Sequence, residues 1–536
     1  MNLKITISKK YFDSARNFLE KYISVFLVLF MTFISVFSFL YYFDNGLGLA
    51  YNDARSHLDI GRRVVEGLKP GLAQLGSVWL PLPHMLMVPT IWNDFMWHSG
   101  LSGALQSMLS FIGTGIVISY FLKKLGVGLL GRIAGVLVYV LNINVLYMQS
   151  TAMTELLLLA TMTTGVYELF LWHINDDFRN LIKSSFWIML ATLIRYDGWF
   201  LLGYSAMLVI IQVLGKKGYK AAEGMFLFFC VLSGFGVVLW LLWNLLIFKD
   251  PLYFVFGPYS AHAQQAQLAS AGVLPTKGNL LLSLKFYFYA LAYNTGAFTL
   301  FLGMVGAIVL WLDKKLPTGV KMASTALFAP LIFNVLALYQ GHSVLFIQGL
   351  SGNTWFNVRY GLMMMPSVAI FIGYLIQKAG AMRYVMIGLL VLVTFFGLVN
   401  HDAVTIDDAR VGASQKNVKE VSGWLKTYTK NQEGFILISA ASHDAIIFSS
   451  DLPMSKFIHE GTGAYWDRAT KSPDRWARWI VMRTHDVNDQ TFKLVNESKT
   501  LYKYNLVGKY PFADIYEIKP QYLSQLNTKP VLGKQR

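Results

Sequence analysis

The sequence predicts an α-helical polytopic membrane protein with a small C-terminal extracytoplasmic α/β domain. Three observations carry that expectation: repeated apolar runs long enough to cross a bilayer, basic clusters recurring between them, and a sharp change of composition after residue 400. Hydrophobic residues make up 55% of the 536 and charged residues only 14%, against about 25% charged in soluble domains.

A bilayer needs about 20 apolar residues per helix. Roughly eleven runs approach or meet that length, near 22–43, 103–122, 127–147, 154–173, 182–197, 199–214, 222–247, 295–312, 321–339, 360–377 and 382–400. The first is longer than a signal-peptide core and lacks a small-residue cleavage site, so it reads as a retained helix. The formal net charge is +16, and its placement decides what it means. Lys4, Lys9, Lys10, Arg16 and Lys21 precede the first run. Lys123, Lys124 and Arg132, then Arg179 and Lys183, Lys216, Lys217 and Lys220, Lys314 and Lys315, and Lys378 and Arg383 fall between later runs. With the N-terminus cytoplasmic, every cluster lands on the same side, as cytoplasmic loops require. A nucleic-acid protein would gather its basic residues on one soluble face, so no nucleic-acid partner is expected. The single cysteine, Cys230, sits in an apolar run. It allows no internal disulfide and no cysteine metal site.

This count places 44–102, the tip near Gln149 to Glu155, the Arg195–Asp197 junction, 248–294 and 340–359 outside, in an integral plasma-membrane protein. It also divides the chain into a membrane region, 1–400, and an extracytoplasmic region, 401–536. In the latter, Phe435 to Ile438 and Trp479 to Met482 read as strands, with a helix-like stretch at Trp424-Leu425.

The residues able to carry chemistry lie on the outer side. Asn52 or Asp53 is placed to cap an amphipathic helix running to about Leu68. Asp53 and His57, four apart, share a face. Asp53 is either a capping carboxylate or a general base held at the membrane surface. Arg55, Asp59 and Arg62 share another face and read as a solvated ion-pair ladder. Trp79 and Trp92 suit an interfacial belt. His84 fits a structural histidine, a metal ligand or a phosphate contact. Glu155 opens a strongly apolar span behind the capping candidates Thr151 and Thr154. An ionisable group at that edge is a functional candidate by default. Arg195 and Asp197 either pair or bind an anionic head group. Arg359, in Asn357-Val358-Arg359-Tyr360-Gly361-Leu362, is placed either to snorkel or to hold phosphate through its guanidinium fork. His443-Asp444, His459-Glu460 and His485-Asp486 match no metal spacing and read as surface polar residues.

Through residue 400, these features resemble the GT-C membrane glycosyltransferases, which include protein O-mannosyltransferases, lipid A aminoarabinose transferases and oligosaccharyltransferases. The resemblance rests on the acidic motif Asn52-Asp53 opening the first outer loop, on Glu155 after the third span, and on the late Arg359-Tyr360 element. Their order and shared sidedness make it specific. It implies an inverting transferase taking one sugar from a polyprenyl phosphate donor to an extracytoplasmic protein, lipid or glycan. Asp53 would be the base, and Glu155 would shape the acceptor or metal site. Arg359, Arg195 and His84 would hold the donor phosphate, with His57, Asp197 and Tyr360 beside the acceptor. Relatives often carry two adjacent acids where this chain has Asn52-Asp53, which leaves a divalent metal open. The oligosaccharyltransferase signature Trp-Trp-Asp-Tyr-Gly is absent, and Tyr465-Trp466-Asp467 is only a faint echo of it. The rival readings are a transporter or flippase for a lipid-linked molecule and a non-catalytic assembly protein. The last predicts that Asp53, Glu155 and Arg359 lie more than two helix diameters apart, each about 10–12 Å.

Overall fold

A lipid core offers no partner to backbone N–H and C=O groups, so long apolar runs satisfy them internally as helices. The computed structural model of this chain describes residues 9–529 apart from 258–259, 271, 412–414 and 487–488. Lys4 of the N-terminal basic cluster therefore lies outside the described residues. Among them, eight helices are long and apolar enough to cross a membrane. They are Glu20–Asp44, Leu101–Lys124, Glu155–Asn175, Asp197–Lys217, Tyr219–Phe248, Thr318–Gln340, Val358–Lys378 and Met382–Val411. Two further apolar stretches are bent pairs: Leu129–Val140 with Ile143–Gln149 at 61°, and Leu280–Thr295 with Ala297–Leu312 at 108°. The break in the first carries Asn142, whose side chain caps the second helix at Val145 N. The second breaks at Gly296, whose φ of +84° suits glycine. The run predicted at 182–197 is a 15-residue helix, Phe178–Thr192.

One expectation is corrected here. The stretch 248–294 was expected as a loop, yet Leu280–Thr295 is a helix. Ser283, Lys285 and Asn294 dilute its apolar run below the level a span shows. Val358–Lys378 is the most enclosed helix and Met382–Val411 the most peripheral. The enclosed helix gets its close contacts from glycine. A Cβ on Gly131 would lie 2.7 Å from the Gly373 carbonyl, and one on Gly135 2.8 Å from that of Ala369.

The outer helix, Asn52–Val65, is less solvated than its pattern suggests. Arg55, His57, Asp59 and Arg62 are all buried, so the solvated ion-pair ladder is corrected. Arg62 donates to Glu66 at 2.5 Å, to the Ile91 and Trp92 carbonyls at 2.9 and 2.6 Å, and to Asp94 at 2.6 Å. Asp59 accepts from the Trp97 indole at 3.0 Å, and burial pushes its carboxyl well above the usual range. The helix begins after Tyr51 with no side-chain cap. Asn52 instead accepts from Arg55 at 2.8 Å, and Asp53 accepts from Arg359. The capping expectation at Glu155 is corrected likewise: Thr154 stands at the N-cap but makes no side-chain cap bond. Trp92 is exposed, its indole donating to the Pro89 carbonyl at 2.8 Å.

The C-terminal part carries a five-stranded sheet in the order β2-β1-β3-β5-β4. Its strands are β1 (Phe435–Ile438), β2 (Phe457–Ile458), β3 (Ala477–Met482), β4 (Tyr504–Lys509) and β5 (Asp514–Ile518). β1 runs parallel to β2 and β3, and β5 runs antiparallel to β3 and β4. The two strand runs and the helix expected near Trp424, seen at Gln415–Thr429, are present. His443 and His459 are buried, not surface residues; His443 Nε2 lies 2.7 Å from Asp489, and His459 accepts from Gly461 N at 3.1 Å. This unit docks on the first outer loop. Ser56 donates to Asp444, Met454 N to Glu66 at 2.9 Å, and Gln74 to the Gly461 carbonyl at 2.7 Å.

Candidate active site

The late Arg-Tyr element is held rigidly, and its residue types follow from how. Asn357 takes a left-handed φ of +56°, tolerable for asparagine. Asn294 donates to the Val358 carbonyl at 2.7 Å, and the Tyr287 hydroxyl to the Tyr360 carbonyl at 3.1 Å. A Cβ at Gly361 would lie 2.2 Å from the Ala290 carbonyl, so glycine is required there. Together these contacts leave Arg359 little freedom.

Arg359 is buried at the centre of the cluster. Its Nη2 donates to Asp53 Oδ2 at 2.6 Å and its Nε to Glu155 Oε1 at 3.1 Å. Its Nη1 lies 3.7 Å from Asp408 Oδ2. Each guanidinium nitrogen thus meets a different carboxylate. The guanidinium carbon stands 4.9 Å from the Tyr51 ring centroid and 5.4 Å from that of Tyr360. Arg195 reaches the same Glu155 oxygen at 3.2 Å and Asp197 at 3.5 Å, 5.1 Å from the Tyr360 ring. The Asp53 side chain is 40% exposed, against 0% for Glu155 and 3% for Asp408. Asp53 is therefore the most open of these carboxylates.

His57 and His84 flank this centre. His57 Nδ1 and His84 Nε2 are 2.8 Å apart, which requires one to donate and the other to accept. The Trp79 ring packs on His57, with centroids 4.3 Å apart. Burial, with Arg195 and Arg359 nearby, pushes the His57 imidazole down to about 3. Burial, then the His57 imidazole, holds His84 well below its usual range. The unfolded chain takes up protons near pH 6.5 that the folded pair refuses. The pair therefore leaves stability intact above pH 6.5 and lowers it as pH falls toward 3. Thermal unfolding of purified protein between pH 7.5 and 4.5 should show this loss, and His57→Gln should flatten it. An equally steep loss in the variant would exclude the pair as its source.

The structure thus gathers Asp53, Glu155, Arg359, Arg195, Asp197 and Tyr360. His57 stands beside them, while His84 is fully buried behind His57. Sequence reasoning missed Tyr51 and Asp408. The Tyr51 hydroxyl donates to Asp408 Oδ2 at 3.0 Å. Tyr51 adjoins the acidic motif and so was within reach; Asp408 lies in a charged stretch beyond the last apolar run and carried no signal. Among the described residues, no group of three or more His, Cys, Asp or Glu side chains is placed to hold a metal ion. Asn52, where a second acid would stand, is bonded to Arg55, so these residues do not fit a metal centre.

No family model matches the sequence, and no curated protein matches it. Solved structures do match in fold. ArnT from Cupriavidus metallidurans bound to undecaprenyl phosphate is 12% identical, with a TM-score of 0.51 over 93% of this chain and 98% of that one. Apo ArnT from the same organism is 12% identical, with a TM-score of 0.53 over 95% and 99%. This chain shares the fold of these two structures, in line with the resemblance carried by the acidic and Arg-Tyr motifs.

Proposed function

We propose that this chain is a membrane glycosyltransferase. It moves one sugar from a polyprenyl phosphate to an extracytoplasmic acceptor, with inversion at the anomeric carbon. The observation that carries this reading is that Asp53 and Glu155, 102 positions apart in sequence, both bond one buried arginine, Arg359. A non-catalytic assembly protein has no need of such a cluster in a GT-C fold. The undecaprenyl phosphate bound to ArnT supports a lipid phosphate donor.

Asp53 takes the proton from an acceptor hydroxyl or amine. The acceptor atom bonds the anomeric carbon from the face opposite the phosphate. The bond from that carbon to the phosphate oxygen breaks, and its electron pair leaves with the phosphate. Arg359, backed by Arg195, faces that growing charge as a preorganised cation in a site shielded from water. Glu155 fixes both guanidinium groups, while His57, Asp197 and Tyr360 shape the acceptor side. The membrane region ends near residue 400 and the remainder covers the outer loop. The N-terminus is cytoplasmic and the site faces outward from the cell membrane.

The test uses purified protein and undecaprenyl phosphate. Saturating lipid should raise the unfolding temperature in a concentration-dependent way. Membranes carrying the protein should release undecaprenyl phosphate from an undecaprenyl phosphate-linked sugar. A flippase would move that lipid without cleaving it. Neither stabilisation nor cleavage across a panel of pentose and hexose donors would overturn the proposal.

A further inference from the structure

Charge in the site is unbalanced. Two guanidinium groups, Arg195 and Arg359, face four carboxylates, Asp53, Glu155, Asp197 and Asp408. A site meant only to attract a phosphate would not surround its arginine in this way. Glu155 is needed to fix both arginines, and Asp197 pairs with Arg195. Asp408 is the remaining carboxylate, at 3.7 Å from Arg359 Nη1 the most loosely paired of the three around that guanidinium. It comes from the short helix Val404–Val411, which ends the segment Met382–Val411. That helix is pinned by Thr405, whose amide and hydroxyl both donate to Asn144 at 3.0 and 2.8 Å. The Tyr51 hydroxyl holds Asp408 itself at 3.0 Å. Its negative charge therefore cannot swing aside when a ligand arrives, whereas Asp53 can.

We propose that Asp408 is a positioning residue that sets product release, by placing a fixed negative charge behind the edge of Arg359 that meets the lipid phosphate. The inference rests on the donor reading given above. A sugar-linked polyprenyl phosphate is a phosphodiester with one negative charge. The product is a phosphomonoester carrying about −1.5 to −2 at pH 7. A phosphate on the Asp53 edge of Arg359 would sit roughly one guanidinium width further from Asp408 than Arg359 does. At an effective dielectric near 20, two unit charges about 7 Å apart change an equilibrium by at least about tenfold. The dianionic product is repelled about twice as strongly as the donor. Asp408 thus weakens the product's hold on Arg359 more than the substrate's.

The experiment measures binding of undecaprenyl phosphate, and of its methyl diester, to intact wild type, Asp408→Asn and Asp408→Glu at pH 8. Asparagine keeps an acceptor for Tyr51 and removes only the charge. The expected result is tightening of the monoester by about tenfold or more in Asp408→Asn, a smaller tightening of the diester, and near wild-type affinities in Asp408→Glu. A purely structural role predicts weaker binding in Asp408→Asn, because damage to the site does not improve affinity. Unchanged or weaker monoester binding in a variant with wild-type unfolding temperature would overturn the inference and leave the function standing. Wild type that binds neither lipid would overturn both.

Discussion

Replacing Asp53 by asparagine is expected to lower glycosyl transfer by about 10²- to 10⁴-fold, the range that a positioned general base supplies. Asparagine matches aspartate in shape but cannot take a proton at neutral pH. The buried charge that loses a partner is that of Arg359, and it is not stranded. Arg359 keeps Glu155 at 3.1 Å and Asp408 at 3.7 Å, so the fold should be retained. Donor binding should be equal or tighter, because the phosphate no longer competes with Asp53 for Arg359 Nη2. The measurement is the rate of undecaprenyl phosphate release at saturating donor, alongside donor affinity and unfolding temperature. Activity within a few-fold of wild type in a folded variant would exclude Asp53 as the base.

Arg359→Lys carries the other large effect, an expected loss of about 10²- to 10³-fold in kcat/KM. Lysine keeps the charge. Its ammonium is a point donor, however, and cannot serve Asp53, Glu155 and Asp408 from three directions. The phosphate would lose a fixed partner just as its charge grows. Lysine is the informative choice because Arg359→Gln would leave the buried Glu155 and Asp408 without this cation. Breaking a buried pair by removing one partner costs about 3–5 kcal/mol, enough to confuse folding with catalysis. Near wild-type turnover with Arg359→Lys at unchanged unfolding temperature would show that the fork geometry does not matter.

What was legible in the sequence follows from local chemistry. Apolar length predicts helices, so the membrane runs and the two strand runs could be read directly. Asp53, Glu155 and Arg359 stand out because ionisable groups at the ends of apolar runs are rare, and their shared side of the membrane pointed to one site. Other features depend on partners remote in sequence. Arg62 looked solvated because nothing nearby announces Asp94, the Trp97 ring or the Ile91 and Trp92 carbonyls. Ser56 meets Asp444 from the far end of the chain. His443 looked like a surface residue because Asp489, which pairs with it, is 46 positions away. The helix Leu280–Thr295 escaped notice because Ser283, Lys285 and Asn294 break the apolar run without breaking the helix; Ser283 and Asn294 donate to backbone carbonyls, Asn294 to that of Val358.

The short bond between Arg359 and Asp53, 2.6 Å long, has a kinetic meaning. While it stands, one oxygen of the Asp53 carboxylate, Oδ2, is engaged by a cation. A donor phosphate that captures the Arg359 edge also frees Asp53. On the proposed reading Asp53 is free to act as base only once the donor is bound, which predicts an order of addition: donor first, acceptor second.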